Sequence, residues 1–484
     1  MYYITVTGYD VKDMRVMLYK QIAQMLQSKI HRGEFLSGEK MPSVRDISRC
    51  HDVSITTVQL AYRELERCQL IYAVPKSGYF VIPEKVTAQL PKVANYIQKP
   101  VHIDKWNPTM DFLRVEERVG VTSLSCAVPN IMGKTLEPLW QEMNMVARRK
   151  NPLTLEYDSL QGLAALREQI YHVSDYRQSF TPDDIVTTTS AHQSLSIAIQ
   201  ACTQGNDVVA VESPTFPGLL QTLYGLGRKI IEIPVDPQTG INLDRLEEAF
   251  QCWQVKAVVV TPTCNNPMGS IMPEKNKQKL LEITNKYQGT VIENDCLAPL
   301  AYTYPRPSTI QSLDTDGHVI LCSSFSKTVA PGTRTGWIIP GKYKEKVMHL
   351  KYLSHCSGEV FMQQVMSNFL KEGHYFLHLR RMRQQYRELQ CQYRELVETH
   401  FPANTRISRP QGGFSLWVEH PAVDSTKLMD ILHRNKVTVL TGAHFAAGDC
   451  YSNHLRINYA SELIPRRRNA IKILGETLKM TMLK

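Results

Sequence analysis

Ser324-Phe325-Ser326-Lys327 stands in the second half of the chain, followed by Arg334 and Gly336. A lysine amine can condense with an aldehyde, while small hydroxyls and a guanidinium can hold a phosphate. Lysine, hydroxyls and arginine at this spacing are what the chemistry of pyridoxal 5'-phosphate requires, with Lys327 as the Schiff-base lysine. Other segments offer partners. Thr187-Thr188-Thr189-Ser190-Ala191-His192-Gln193 closes an apolar run and opens a helical one, so its backbone N–H groups and hydroxyls can bind an anion. Hydroxyls at a helix start are more often plain caps. Phe216, in Glu212-Ser213-Pro214-Thr215-Phe216-Pro217, can stack on a planar heterocycle; an isolated Phe is more often core. Asn266, in Asn265-Asn266-Pro267, can donate to a phenolic oxygen. A buried carboxylate in Glu293-Asn294-Asp295 would need a cation, and a protonated pyridine nitrogen is one. Arg456, in His454-Leu455-Arg456-Ile457-Asn458, suits a bidentate hold on a carboxylate.

These residues sit at the ends of apolar runs rich in β-branched residues: Val208-Val209-Ala210-Val211, Ala257-Val258-Val259-Val260, Val291-Ile292-Glu293, Val319-Ile320-Leu321-Cys322 and Gly336-Trp337-Ile338-Ile339. Helical patterns separate them. That alternation predicts an α/β domain with a mainly parallel sheet, its ligand at the carboxyl ends of the strands.

The first eighty residues read differently. Leu18, Ile22, Met25, Leu26 and Ile30 recur at helical spacing up to Gly33. Ser43 and Asp46 form a capping box for a second helix, and Ser54 caps a third. Val58, Ala61, Tyr62 and Leu65 make the buried stripe of that third helix, which turns Thr56, Thr57 and Gln59 outward. Two short β runs flank Pro75-Lys76-Ser77-Gly78. Three helices and a hairpin predict a winged helix-turn-helix over residues 12–83. Arg45, Ser54, Thr56, Thr57 and Gln59 are the candidates for DNA contact, with Lys76, Ser77 and Gly78 at the wing tip. Residues 84–122, with Pro91, Pro100 and Pro108, read as a connector, and the large domain spans 123–484.

The first domain resembles the GntR family of bacterial regulators, through Met41-Pro42-Ser43-Val44-Arg45-Asp46-Ile47, Ala61-Tyr62-Arg63-Glu64-Leu65 and Lys76-Ser77-Gly78-Tyr79-Phe80-Val81. Family members often carry arginine after the serine that starts the recognition helix; here it is Ile55. The large domain resembles the fold-type I aminotransferases. That resemblance implies pyridoxal 5'-phosphate as cofactor, with Thr189, Ser190, Ala191, Ser324 and Arg334 around the phosphate. It implies Phe216 on the ring, Asn266 at the ring oxygen and Asp295 at the ring nitrogen, with Asn294 the alternative for that last place. Arg456 would take an effector's carboxylate, and Tyr157 would reach the partner subunit's phosphate, in a homodimer with domain-swapped winged helices. Together the two parts resemble the MocR subfamily of GntR regulators. The basic run His378 to Arg387 also resembles that subfamily, or is a solvated helix face. Catalytic relatives place a tyrosine soon after the ring-nitrogen carboxylate. Here Cys296, Leu297, Ala298 and Pro299 follow, and the first tyrosine is Tyr302.

Composition fits these expectations. The 484 residues are 43% hydrophobic and 21% charged, with net charge +10. Residues 1–83 hold eleven Lys and Arg against eight Asp and Glu, a net of +3, so charge alone does not argue for DNA. Eleven scattered cysteines, with no Cys-x-x-Cys pair, fit reduced thiols in a cytoplasm better than disulfides or a metal site. No apolar run suggests a membrane span or a secretory signal. The expectation is a cytoplasmic transcriptional regulator that binds an operator in double-stranded DNA. Its signal would be pyridoxal phosphate, or the external aldimine with a small amino compound. Two alternatives stay open: an active aminotransferase with an appended DNA-binding domain, and a regulator whose large domain serves dimerisation alone.

Overall fold

The computed structural model describes residues 11–31, 35, 39–68, 70–74, 77–81, 88–94, 99–102, 120–125, 128–131, 133–174, 179–303, 305–421, 425–448 and 450–482. The chain divides into two compact units, Met1–Thr87 and Ala88–Lys484.

In the first unit, helices α1 (Val11–His31), α2 (Val44–Cys50) and α3 (Ile55–Arg67) precede strands β1 (Ile71–Val74) and β2 (Gly78–Val81). The Ser43 hydroxyl accepts the Asp46 N–H at 3.2 Å while the Asp46 carboxylate accepts the Ser43 N–H at 3.3 Å, which starts α2 as its capping box dictates. Leu26, Val58, Ala61 and Tyr62 are fully buried and bind α1 to α3. The Tyr62 hydroxyl donates to the Pro42 carbonyl at 2.6 Å, so this buried phenol keeps a partner. Strands β1 and β2 pair antiparallel, Ile71 opposite Val81 and Val74 opposite Gly78. The turn ends on Gly78 at φ +114°, a conformation open to glycine. This is the winged helix-turn-helix the sequence predicts.

The second unit is built on an eight-stranded sheet: β3 (Val186–Thr188), β4 (Val208–Ser213), β5 (Lys229–Asp236), β6 (Gly240–Ile241), β7 (Ala257–Val260), β8 (Thr290–Asn294), β9 (Val319–Ser324) and β10 (Gly336–Ile339). Their order across the sheet is β3-β10-β9-β8-β7-β4-β5-β6. The run from β9 to β5 is parallel throughout, while β10 lies antiparallel to both its neighbours. Side chains alternate across the faces. Val209, Val211, Val259, Ile292, Ile320, Cys322 and Ile338 pack with Leu195 and Ile199 of helix α4 (Ala191–Cys202). Ala210, Val258, Val260 and Val291 pack with Phe250, Leu280 and Ile283 on the other face. Two covered faces explain why these strands read as continuous apolar runs. A second, antiparallel sheet orders Arg406–Ile407, Ser415–Glu419, His454–Asn458 and Leu440–Thr441.

The described part of the connector belongs to this second unit. The Ile407 N–H donates to the Gln89 carbonyl at 2.9 Å, the Lys92 N–H to Glu419 at 2.7 Å, and Val101 bridges to Ile230.

Strand β10 also brings Gly336 between Thr188 and Ser324, directly opposite both. A Cβ there would lie 2.7 Å from the Ser190 carbonyl carbon and 2.8 Å from the Thr188 hydroxyl. Gly336→Ala must push backbone aside and should destabilise the large unit by about 1–3 kcal/mol. Thermal unfolding of the full-length variant checks this: its transition should fall by several degrees.

Candidate functional site

At the carboxyl edge of the sheet, Thr188, Gly336 and Ser324 stand side by side on three neighbouring strands. The start of α4 lies over them. The Ser190 hydroxyl accepts the Gln193 N–H at 3.2 Å, and the Thr189 N–H and hydroxyl donate to the Gln193 side-chain oxygen at 2.8 and 3.0 Å. Gln193 thus shapes the turn that carries Thr189, Ser190 and Ala191, a part the sequence did not reveal. Helix N–H groups pointing out of such a turn favour an anion.

Ser324 is buried and Lys327 half-buried. Between them the Ser326 hydroxyl is buried with no hydrogen-bond partner among the described residues. A buried, unpaired hydroxyl beside an amine is a donor set suited to a polar group such as a phosphorylated aldehyde. Burial pushes the Cys296 thiol up to about 11, against the opposing pull of the nearby Lys327 amine. Arg334 is exposed, in left-handed backbone at φ +44°. It stands close enough to His192 to add to the burial that lowers the imidazole's pKa. The His192 ring meets Phe216 edge-on, centroids 6.4 Å apart. The α4 start thus carries Thr189, Ser190 and Ala191 beside Gly336 and its ladder partner Ser324, with His192 linking it to Phe216 and Arg334, while Lys327 follows Ser324 by three residues.

Asn266 and Arg456 form a second group. The Arg456 guanidinium donates to the Asn266 side-chain oxygen at 3.2 Å and to the Ser125 carbonyl at 2.7 Å, and lies 5.1 Å over the Phe445 ring. Glu212 anchors the loop that carries Asn266. Its carboxyl accepts the Thr261 N–H and the Asn265 amide, both at 2.9 Å.

Asp295 is paired within the chain. Both its oxygens accept from the Arg306 guanidinium, at 2.7 and 2.9 Å, and both side chains are nearly buried. Arg306 follows eleven residues later, and nothing in the spacing singled it out. The Tyr302 hydroxyl is engaged with that of Tyr459 at 3.0 Å. Tyr157 is 88% exposed.

On the winged helix, Arg45, Thr56, Gln59, Ser77 and Gly78 are exposed, and Ser54 is exposed with its hydroxyl accepting the Thr57 N–H at 3.1 Å. Thr57 corrects the sequence reading. It is 4% exposed, its hydroxyl 2.7 Å from that of Ser54, because the first turn of α3 rolls it under the cap beside Val58. Arg63, four residues beyond Gln59 and exposed, shares the outer face of α3 and was missed as a contact candidate. Lys76 lies outside the described residues. Of the basic run in His374–His400, His378, Leu379, Met382 and Tyr386 are buried, and Arg387 donates to the Tyr302 carbonyl; Arg380 and Arg381 are exposed.

Comparisons with known proteins match these two parts. Residues 18–81 fit the model of bacterial regulatory proteins of the gntR family, and residues 118–471 that of aminotransferases of class I and II. The HTH-type transcriptional regulator YjiR of Escherichia coli is 42% identical over 96% of this chain and 99% of its own. The chain belongs to the MocR-like GntR regulators, in which an aminotransferase class I and II domain follows the helix-turn-helix. Aromatic-amino-acid aminotransferase 1 of Thermococcus litoralis is 26% identical over 83% of this chain and 99% of its own. The kynurenine aminotransferase of Pyrococcus horikoshii, solved with PMP, matches with a TM-score of 0.72 at 28% identity, over 78% of this chain and 96% of its own. A fold shared with pyridoxal-type enzymes implies pyridoxal phosphate binding, and the buried, unpaired Ser326 hydroxyl beside Lys327 suits such a ligand. Among the described residues no helix is long and apolar enough to cross a membrane.

Burial raises the Glu212 carboxyl to about 7 in the folded protein. A carboxyl raised on folding stabilises fully below its unfolded pKa of about 4, and that contribution is lost as pH climbs through 7. Relative to Glu212→Gln, the wild type should lose up to about 3 kcal/mol of stability between pH 5 and pH 8. Urea unfolding of both proteins at the two pH values measures it; a difference that does not change with pH contradicts it.

Proposed function

We propose that this protein is a DNA-binding transcriptional regulator that takes pyridoxal phosphate, with or without a small amino compound, as its signal. One observation supports the reading: a winged helix whose α3 exposes Thr56 and Gln59 is joined in one chain to an aminotransferase-like unit that carries Lys327 three residues beyond Ser324, itself opposite Gly336 at the α4 start. When bound, pyridoxal phosphate supplies an aldehyde that condenses reversibly with amines.

The chain's own residues have separable tasks in this reading. Lys327 would hold the cofactor through its amine, at the place where an incoming amine would compete. Thr189, Ser190 and Ala191 at the α4 start, with Ser324 and Arg334, hold the phosphate. Phe216 flanks the ring, and Asn266 donates to the ring oxygen. Arg456, oriented by Ser125 and Asn266, holds an effector's carboxylate. Tyr157, so exposed, is offered to a second copy, and we take the working form as a homodimer with exchanged winged helices and shared sites. On the DNA side, Thr56, Gln59 and Arg63 face the major groove, Arg45 and Ser54 meet phosphates, and Lys76, Ser77 and Gly78 track the adjacent backbone. A ligand that binds two conformations unequally can then shift operator affinity; about 1–3 kcal/mol of coupling makes a useful switch. Such a regulator works in the cytoplasm.

An ordinary aminotransferase with an appended DNA reader is the second reading, favoured by the relatedness to enzymes across the large domain. Product formation from an amino acid and a keto acid at enzymatic rates would select it.

Two measurements test the leading reading. Borohydride treatment of protein incubated with pyridoxal phosphate should attach a pyridoxyl group to Lys327, and Lys327→Ala should lose both the label and any ligand effect on DNA binding. Binding to a DNA fragment from upstream of the gene should weaken by about 1–3 kcal/mol in Gln59→Ala. Arg63→Ala should lower the salt slope by about one if that guanidinium meets a phosphate.

A further inference from the structure

The strand ends beneath the cleft hold three carboxylates, and each has its own donors. Glu212 is bonded to the Thr261 N–H and the Asn265 amide. Glu293 accepts the N–H groups of Ile310 and Gln311 at 3.0 and 2.9 Å. Asp295 takes Arg306 on both oxygens. Strand geometry also decides which side chain of Glu293-Asn294-Asp295 looks toward α4. Successive residues of a strand point to opposite faces. Ile292 packs with Leu195 and Ile199 of α4, and Val291 packs with Leu280 and Ile283 on the other face. Asn294 therefore shares the face of Ile292, as do Cys322, its partner across the ladder, and Ser324 two residues further along β9. That is the face on which α4 opens over Ser324 and Gly336.

Asn294 is 8% exposed. The Cys296 N–H donates to its side-chain oxygen at 3.4 Å, which orients the amide. With the oxygen turned toward the Cys296 N–H, the Nδ2 hydrogens are this side chain's donors to a ligand, and no described residue accepts from them. A neutral pyridine nitrogen carries a lone pair and accepts such a hydrogen; a pyridinium N–H would meet another donor.

We propose that Asn294 faces the ring nitrogen of pyridoxal phosphate and donates to it, so that this chain holds the cofactor as a neutral pyridine. This rests on the reading that pyridoxal phosphate is held at Lys327. It deepens that reading: a neutral ring draws electrons from the bound amine far less than a pyridinium does. The site then keeps reversible exchange of amines at the aldehyde carbon, which a sensor needs, and gives up the deprotonation that a transaminase needs. Asp295 acts one layer away, fixing the loop that follows β8 through Arg306.

Nitrogen-15 NMR of the full-length protein loaded with ring-labelled pyridoxal phosphate tests this directly. The wild type should give the resonance of a neutral pyridine, and Asn294→Asp, nearly the same size, should move it to that of a pyridinium. A pyridinium resonance in the wild type overturns the proposal whether or not the variant folds. So does a variant that folds, loads and keeps the neutral resonance, because another group would then face the nitrogen. If borohydride fixes no pyridoxyl group on Lys327 of the wild type, the reading beneath the proposal fails and takes it along, an outcome distinct from both others.

Discussion

Much of the large unit depends on the close approach of strand β10 to the turn that opens helix α4. Gly336 has no room for a Cβ against Ser190 and Thr188, and its register sets it opposite Ser324. The result is three strand ends and one helix start set side by side. A helix start of this kind favours an anion through its dipole, with few charged side chains needed. Arg334 can therefore stand at the rim, exposed, while the hydroxyls of Ser190, Ser324 and Ser326 lie buried.

Buried charge is handled by a common rule around this site. Every carboxylate at the strand ends is matched with donors: Glu212 and Glu293 with N–H groups, Asp295 with Arg306. An unmatched carboxylate there would cost several kcal/mol, so each match also holds a loop in place. Glu212 steadies the loop leading to Asn266, and Asp295 the segment after β8. Arg456 is buried on the same terms, against Ser125, Asn266 and the face of Phe445. Positions that in an enzyme would be judged only by what they do to a substrate are here also structural ties.

The first unit works by simpler means. Two N-caps, at Ser43 and Ser54, set the helix starts, and an apolar core from Ile22 to Val81 holds the hairpin against the helices. Its exposed α3 face is largely polar. The burial of Thr57 narrows that face to Thr56, Gln59 and Arg63, with Ile55 and Leu60 also exposed.

The sequence alone was enough for both folds, the capping box at Ser43, the N-cap at Ser54 and strands β4, β7, β8, β9 and β10, because each rests on local pattern: periodicity, cap residues and short apolar runs. Three matters were decided only in three dimensions. The antiparallel course of β10 could not be read from Gly336-Trp337-Ile338-Ile339, since parallel and antiparallel buried strands look alike as apolar runs. Thr57 looked outward by helical spacing, yet in the first turn of α3 its N–H is bonded to the Ser54 cap and its side chain is buried. The pairing of Asp295 with Arg306 needed a turn of chain between them that no spacing rule specifies. The reason is shared: local sequence sets what a side chain can do, but a buried charge or hydroxyl goes to whichever partner the packed chain brings within bonding distance.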